Sequence, residues 1–157
     1  MRSRPRTMYL LNQANQAVRS QLEAALRDLQ MTGIQYTILS IIDQYAGISS
    51  AELSRRFFVT AQSMNEIING LVQRGLIARQ EDPANKRILR MKLTASGRKL
   101  LKNCDDIADQ IETTAFDWIA PKDHETLRQS LRSLLQGLRE RKSTLLVQHD
   151  SKRRASS

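Results

Sequence analysis

Apolar residues recur through the first part of the chain at the spacing of one helix face. In "MYLLNQANQAVRSQLEAALRDL", residues 8–29, Leu11, Val18, Leu22, Ala25 and Leu29 are three, four or seven positions apart. That period predicts a single amphipathic helix of about 33 Å at about 1.5 Å rise per residue. Thr32 followed by Gln35 reads as a capping box, with Met31 and Tyr36 as its hydrophobic staple. The helix it opens, over 33–45, buries Ile38, Leu39 and Ile42. Ser49 with Glu52 repeats the device, stapled by Ile48 and Leu53, for a helix running to Phe57. Thr60 is the next N-cap, Val59 and Met64 its staple, and Gly75 suits the position just past that helix's end. Two helices joined by a turn of this length have the sequence shape of a helix-turn-helix.

The period then changes. Residues 76–81 and 88–93 are strand-length runs in which Leu89, Met91 and Leu93 alternate with Ile88, Arg90 and Lys92. Pro83 and its turn-forming neighbours lie between them. Thr94 caps a third long helix, on which Leu100, Cys104, Ile107 and Ile111 share a face. Pro121 opens the last helix, striped by Leu127, Leu131, Leu134, Leu135 and Leu138. The fold class is therefore mainly α with a small β-hairpin. The expected organisation is an N-terminal dimerisation helix (1–32), a winged helix-turn-helix (33–93), C-terminal dimerisation helices (94–147) and a basic disordered tail (148–157). Both terminal segments carry long apolar stripes that the small central module cannot cover, which favours a homodimer.

Charge adds a partner. The 157 residues hold 25 Lys and Arg against 16 Asp and Glu, a formal charge of +9. An excess of that sign points to a polyanion, nucleic acid or an acidic membrane face. No apolar run approaches a membrane span and no secretory leader is visible, so membrane is set aside and a cytoplasmic setting expected. The single cysteine excludes an intramolecular disulfide framework. Aromatic residues make up 4% of the chain, too few for a base-stacking platform on single strands.

Helix, turn, helix and basic hairpin, in that order, make a winged helix, whose second helix enters the major groove. On residues 61–74, Met64, Ile67, Ile68 and Leu71 form the buried stripe, leaving Gln62, Ser63, Asn65, Glu66 and Asn69 on the other face. Short polar groups with both donors and acceptors suit base edges, and Gln or Asn can pair bidentately with adenine. The plain alternative is a solvated helix face. The hairpin carries Arg79, Lys86, Arg87, Arg90 and Lys92 against Glu81 and Asp82. Lys86 and Arg87 stand at its tip, placed to reach a narrow minor groove. Arg79, Arg90 and Lys92 are candidates for phosphate contact or for plain solvation, and Ser49 and Thr60 at the helix starts are further DNA-binding candidates.

The run "SSAELSRRFFVTAQSMNEIINGLVQRGLIARQEDPANKRILRMKLTASG" resembles the multiple-antibiotic-resistance regulator (MarR) family of bacterial winged-helix transcription factors. It shares the capped helix, a recognition helix ending before "GLI", the wing and an "LT-x-x-G" motif. With the flanking helices the likeness extends over roughly 8–145. It implies a homodimer interlocked through its first and last helices, an inverted-repeat operator in double-stranded DNA, a repressor role and release by a small, often aromatic, effector. An aromatic carboxylate or its thioester is the expected class, held in a cleft beside the first helix, with Met8, Asn12, Arg19 and Tyr36 as candidate contacts. Asn15 lies on the same face. Two positions depart from the pattern. Asn85 stands where the wing usually has the Asp of an Asp-x-Arg triplet, which implies a looser tip. Glu66 stands where Arg is common.

Other chemistry is thin. Cys104 lies on an apolar stripe, which fits core packing better than the exposed, low-pKa thiol of a redox-sensing regulator. His124 and His149 lack metal-site spacing. No phosphate loop, nucleophile motif or carboxylate pair is present, so neither an enzyme nor a cofactor is expected. Gly70 costs about 1 kcal/mol in a helix interior relative to Ala, and a closely packed neighbouring helix is the expected reason for it. A non-specific architectural DNA binder is the alternative reading, with a protein-binding winged helix a third.

Overall fold

The structure, a computed structural model, describes the backbone of residues 5–154 and the side chains of residues 5–140. It divides between Ala115 and Phe116 into two compact units. In chain order the helices are α1 (Thr7–Ala25), α2 (Gly33–Gln44), α3 (Ser50–Phe57), α4 (Ala61–Gln73), α5 (Ala95–Phe116) and α6 (Pro121–Arg154). The strands β1 (Ile77–Glu81) and β2 (Leu89–Leu93) lie between α4 and α5.

Both expected capping boxes form. Thr32 Oγ1 accepts from Gln35 N–H at 3.3 Å while Gln35 Oε1 accepts from Thr32 N–H at 3.1 Å. Ser49 and Glu52 make the same reciprocal pair at 3.3 and 2.9 Å. Each box satisfies donors that a helix start leaves unpaired, which is why α2 and α3 begin where they do. Between α3 and α4 the chain turns through Phe58 at φ 55°, and α4 ends at Gly75 with φ 68°. Glycine adopts that left-handed conformation without Cβ strain.

The core of the first unit gathers one face of α2 to α5 and of both strands, with Leu22 of α1 packed against it. Ile38, Leu39, Leu53, Met64, Ile68, Leu71 and Cys104 are fully buried, and Met91 is 1% exposed. β1 and β2 pair antiparallel, Ile77 opposite Leu93 through Glu81 opposite Leu89. β2 also bonds to the segment before α3, where Met91 N–H donates to Ile48 O at 2.9 Å. Thr94 caps α5 by accepting from Gly97 N–H at 3.0 Å, and Thr94 N–H donates to Leu76 O at 3.1 Å. A Cβ at Gly97 would lie 2.1 Å from that same Leu76 oxygen, so the glycine of "LT-x-x-G" allows the start of α5 to lie on the exit from α4.

Three expectations need correction. The first helix is not one piece to residue 29. It ends at Ala25, tightens into a 3-10 turn over Arg27–Leu29 and reverses at Gln30 with φ 52°. The bend carries Leu26 into the core, fully buried, while Val18 is 41% exposed. Gly70 has nothing within 4 Å of its Cβ position, so close helix packing does not explain it. On α5 the expected stripe holds, with Cys104 fully buried and Leu100 and Ile107 packed against the core, and Leu101, 6% exposed, joins them. Finally, α6 is helical through Arg154, where disorder was expected from residue 148. After Pro121 the sequence to that point has no further proline and a single glycine, so little interrupts helix propagation. Residues 155–157 lie outside the described residues.

Candidate nucleic-acid interface

α4 is anchored by its apolar side. With Met64, Ile68 and Leu71 sealed in the core, Gln62, Ser63, Asn65, Glu66 and Asn69 are all exposed on the opposite face. Thr60 caps the helix, accepting from Ser63 N–H at 3.1 Å, and the two hydroxyls lie 2.9 Å apart. Gln62 donates to Glu66 at 3.2 Å. Arg79 on β1 donates to Asn69 Oδ1, tying the hairpin to the exposed polar face of α4. Sequence spacing placed Arg79 in a strand and Asn69 on a helix; the turn at Gly75 brings them together.

The hairpin tip is built on Asp82. Its Oδ1 accepts from Ala84 N–H at 2.8 Å and Asn85 N–H at 3.0 Å, while Oδ2 accepts from Arg90 Nε at 2.6 Å. The Arg90 bond, then the two backbone N–H groups, hold the Asp82 carboxyl below the usual carboxylate range. Asn85 Oδ1 accepts from Arg87 N–H at 3.1 Å. The tip therefore has a charged brace of its own beside the uncharged Asn85.

Arg87 borders two grooves. One, of about 350 Å³, is lined by Ser50, Asn65, Asn69, Arg79, Arg87 and Leu89. The other, of about 420 Å³, runs along Ser49, Ser50, Glu52, Arg55, Arg87 and Leu89. Arg87 thus stands beside the starts of α3 and the exposed face of α4, with Lys86 exposed next to it. Ser50 and Arg55 were not singled out from sequence. The adjacent basic pair Arg55–Arg56 was the available signal, and the two diverge in the fold: Arg55 lines the groove and Arg56 lies 4.0 Å over the Tyr45 ring.

Two sequence candidates are committed internally. The Ser49 hydroxyl donates to Glu52 Oε2 at 2.6 Å within the capping box. Arg90, besides bonding Asp82, donates to Gly47 O at 3.0 Å and lies 3.6 Å from Glu52. The Ser49 bonds, ahead of the charge of Arg90, lower the Glu52 pKa.

The MarR family sequence profile matches residues 29–88. The HTH-type transcriptional repressor Rv2887 of Mycobacterium tuberculosis is 36% identical over 99 residues, 63% of this chain and 71% of that protein. The chain belongs to the MarR family. It is a transcriptional regulator of the MarR type. Among solved structures it is similar to Rv2887 in complex with salicylic acid, with TM-score 0.69 and 28% identity over 85% of this chain and 99% of that one. A mutant MarR from E. coli complexed with operator DNA shares the fold at TM-score 0.72 and 24% identity, over 81% of this chain and 91% of that one.

Against this MarR-type framework the four ligand candidates separate. A groove of about 420 Å³ between α1, α2 and α3 is lined by Asn15, Val18, Arg19, Leu22, Glu23, Ile34, Thr37 and Phe57. Arg19 lies on it, with its Nε 3.7 Å from Glu23 Oε1. That carboxylate also accepts from Gly33 N–H at 3.1 Å. Met8 and Asn12 are exposed further up α1 and do not line it. Neither does Tyr36, whose hydroxyl donates to Asp105 on α5 at 2.9 Å. Burial and that hydrogen bond push the Tyr36 pKa up to about 12. Cys104 is fully buried. Burial, then the nearby Asp105 charge, raises its pKa, the opposite of what a thiol poised for oxidation needs.

Proposed function

We propose that this protein is a homodimeric repressor that binds an inverted-repeat operator and leaves it when a small aromatic acid binds. The observation that carries the reading is the surface formed by α4, β1 and the hairpin tip. There Asn65 and Asn69 line one groove with Arg79 and Arg87, and Gln62, Ser63 and Lys86 are exposed on the same helix and hairpin. Asn and Gln serve base edges in the major groove, and an Arg-bearing tip serves the adjacent minor groove. In this reading Thr60 and Arg55 contact phosphate, and Glu66 accepts from a cytosine amino group.

Dimerisation is supported by what a single chain leaves uncovered. Met8, Tyr9 and Leu10 on α1 are 82%, 55% and 50% exposed, and Leu134, Leu135 and Leu138 on α6 more than 40%. Apolar surface of that extent is usual where a partner covers it. Two-fold symmetry then places the recognition helices in successive major grooves, with half-site centres about 10 bp apart.

The α1–α2–α3 groove is the effector site in this reading. Its volume suits a small ligand, its walls are Val18, Leu22, Ile34 and Phe57, and Arg19 is the cation for a carboxylate. Rv2887, solved with salicylic acid, is a precedent for the ligand class. An effector shifts the protein off DNA only through different affinities for its two states.

Selection of duplexes from a randomised pool, followed by binding of the recovered sequence and a shuffled control at one fixed salt concentration, tests the reading. A large preference for the recovered duplex, abolished by Asn65→Ala with Asn69→Ala, supports it. Equal binding of both duplexes would leave an architectural, sequence-blind protein.

A further inference from the structure

Arg90 has the sequence position of a phosphate contact, an arginine on a basic hairpin, but its surroundings are those of a structural strut. Its Nε donates to Asp82 Oδ2 at 2.6 Å and its Nη1 to Gly47 O at 3.0 Å, with Glu52 Oε2 3.6 Å away. A guanidinium is a planar fork whose donors point in fixed directions, so two such bonds fix its plane. Flanked by two carboxylates, it contributes no net positive field toward a phosphate. Asp82 in turn caps the tip through its other oxygen. The last strand pair is Glu81 with Leu89, and beyond it Asp82 N–H donates to Ile88 O at 2.9 Å. One charged pair therefore joins the turn that carries Arg87 to the loop between α2 and α3. It does so at the point where β2 bridges to Ser49.

We infer that Arg90 is the positioning residue of the wing: acting through Asp82 and Gly47 it fixes the direction in which Arg87 is presented, and it does not itself contact DNA. The inference rests on the reading of the hairpin as a DNA-binding wing, and the experiment separates the two. Asp82→Asn is the informative variant. It keeps Oδ1 as acceptor for the two tip N–H groups and removes the charge that holds Arg90. It also deletes a negative charge from a surface facing DNA, so electrostatics alone would tighten binding everywhere.

The assay is fluorescence anisotropy with the selected operator and a shuffled duplex, across a salt series, on the full chain. Circular dichroism at the assay temperature verifies that each variant is folded. Positioning predicts that Asp82→Asn loses operator affinity on the order of tenfold, as for one specific contact, while affinity for the shuffled duplex holds or rises. It predicts that Asp82→Asn with Arg87→Ala binds no more weakly than Arg87→Ala alone, because the brace acts through Arg87. Arg90→Gln and Arg90→Lys should both lose operator affinity, since a lysine cannot span Asp82 and Gly47, and both should keep the parent salt slope. A slope lowered by about one per contact in Arg90→Gln, and retained in Arg90→Lys, would make Arg90 a phosphate contact and overturn the inference. So would parental operator affinity in Asp82→Asn, or additive losses in the double variant. Parental operator affinity in Arg87→Ala would instead overturn the wing reading, and the inference with it.

Discussion

Gly70 and Gly97 both occupy helices, and the same substitution should move stability in opposite directions. At Gly97 an added Cβ meets Leu76 O at 2.1 Å and Leu76 C at 3.0 Å. Both are backbone atoms, so the start of α5 and the exit of α4 must separate by about 1 Å in a close-packed interior. Overpacking of this kind costs about 1–3 kcal/mol. The movement also strains two bonds at the same junction, Gly97 N–H to Thr94 Oγ1 at 3.0 Å and Thr94 N–H to Leu76 O at 3.1 Å, each contributing about 1 kcal/mol. The gain in helix propensity from Gly to Ala returns about 1 kcal/mol. Gly97→Ala should therefore destabilise by about 2–4 kcal/mol. Gly70→Ala meets nothing within 4 Å and should stabilise by up to about 1 kcal/mol. Urea unfolding at one fixed protein concentration, with midpoint and slope compared, measures both. If Gly97→Ala unfolds at the parental midpoint, the tight junction between wing and α5 is wrong.

Four further outcomes follow from the same geometry. Arg87→Ala should weaken operator binding by about 1–3 kcal/mol per contact, measured by anisotropy at fixed salt; parental affinity would remove the tip from the interface. Asp82 and Glu52 have pKa values lowered by folding, from ordinary values of 3.8 and 4.5. The stability they contribute is complete above those values and is lost as pH falls through the lower folded ones. Thermal unfolding between pH 6 and about 2 should show this acid limb, and Asp82→Asn should flatten it; an unchanged limb would count against the brace. Arg19→Ala should weaken an aromatic acid that releases DNA while Tyr36→Phe leaves its affinity unchanged, by calorimetric titration, and the reverse pattern would move the site from the α1–α2–α3 groove to α5. Peroxide should leave operator binding of the parent and of Cys104→Ala equally unaffected; loss in the parent alone would restore a redox role.

The local devices were readable from residue order because they act over three or four positions. Thr32 with Gln35 and Ser49 with Glu52 have a single geometry in which each side chain answers the other's backbone. The exposed face of α4 was readable for a similar reason, since a period of 3.6 sorts Met64, Ile68 and Leu71 from Gln62, Asn65 and Asn69. What sequence missed depends on contacts between distant segments. Leu26 reaches the core because a 3-10 turn bends the chain after Ala25, and periodicity continues straight through such a bend. Arg90 and Arg79 look alike as strand arginines, yet one bonds Gly47 and Asp82 while the other bonds Asn69. The Tyr36 hydroxyl bonds Asp105 on α5, 69 positions away, a partner that residue order does not reveal. Composition gave the sign of the partner's charge, and only the fold showed which cations are already paired.

If two copies of this chain read DNA with α4 and the wing, a hydroxyl-radical footprint on the selected duplex will show protection with dyad symmetry, its two halves centred about 10 bp apart, with minor-groove protection flanking each half that disappears in Arg87→Ala. Uniform protection without a dyad, or a footprint indifferent to Arg87→Ala and to substitution of Asn65 and Asn69, would contradict it.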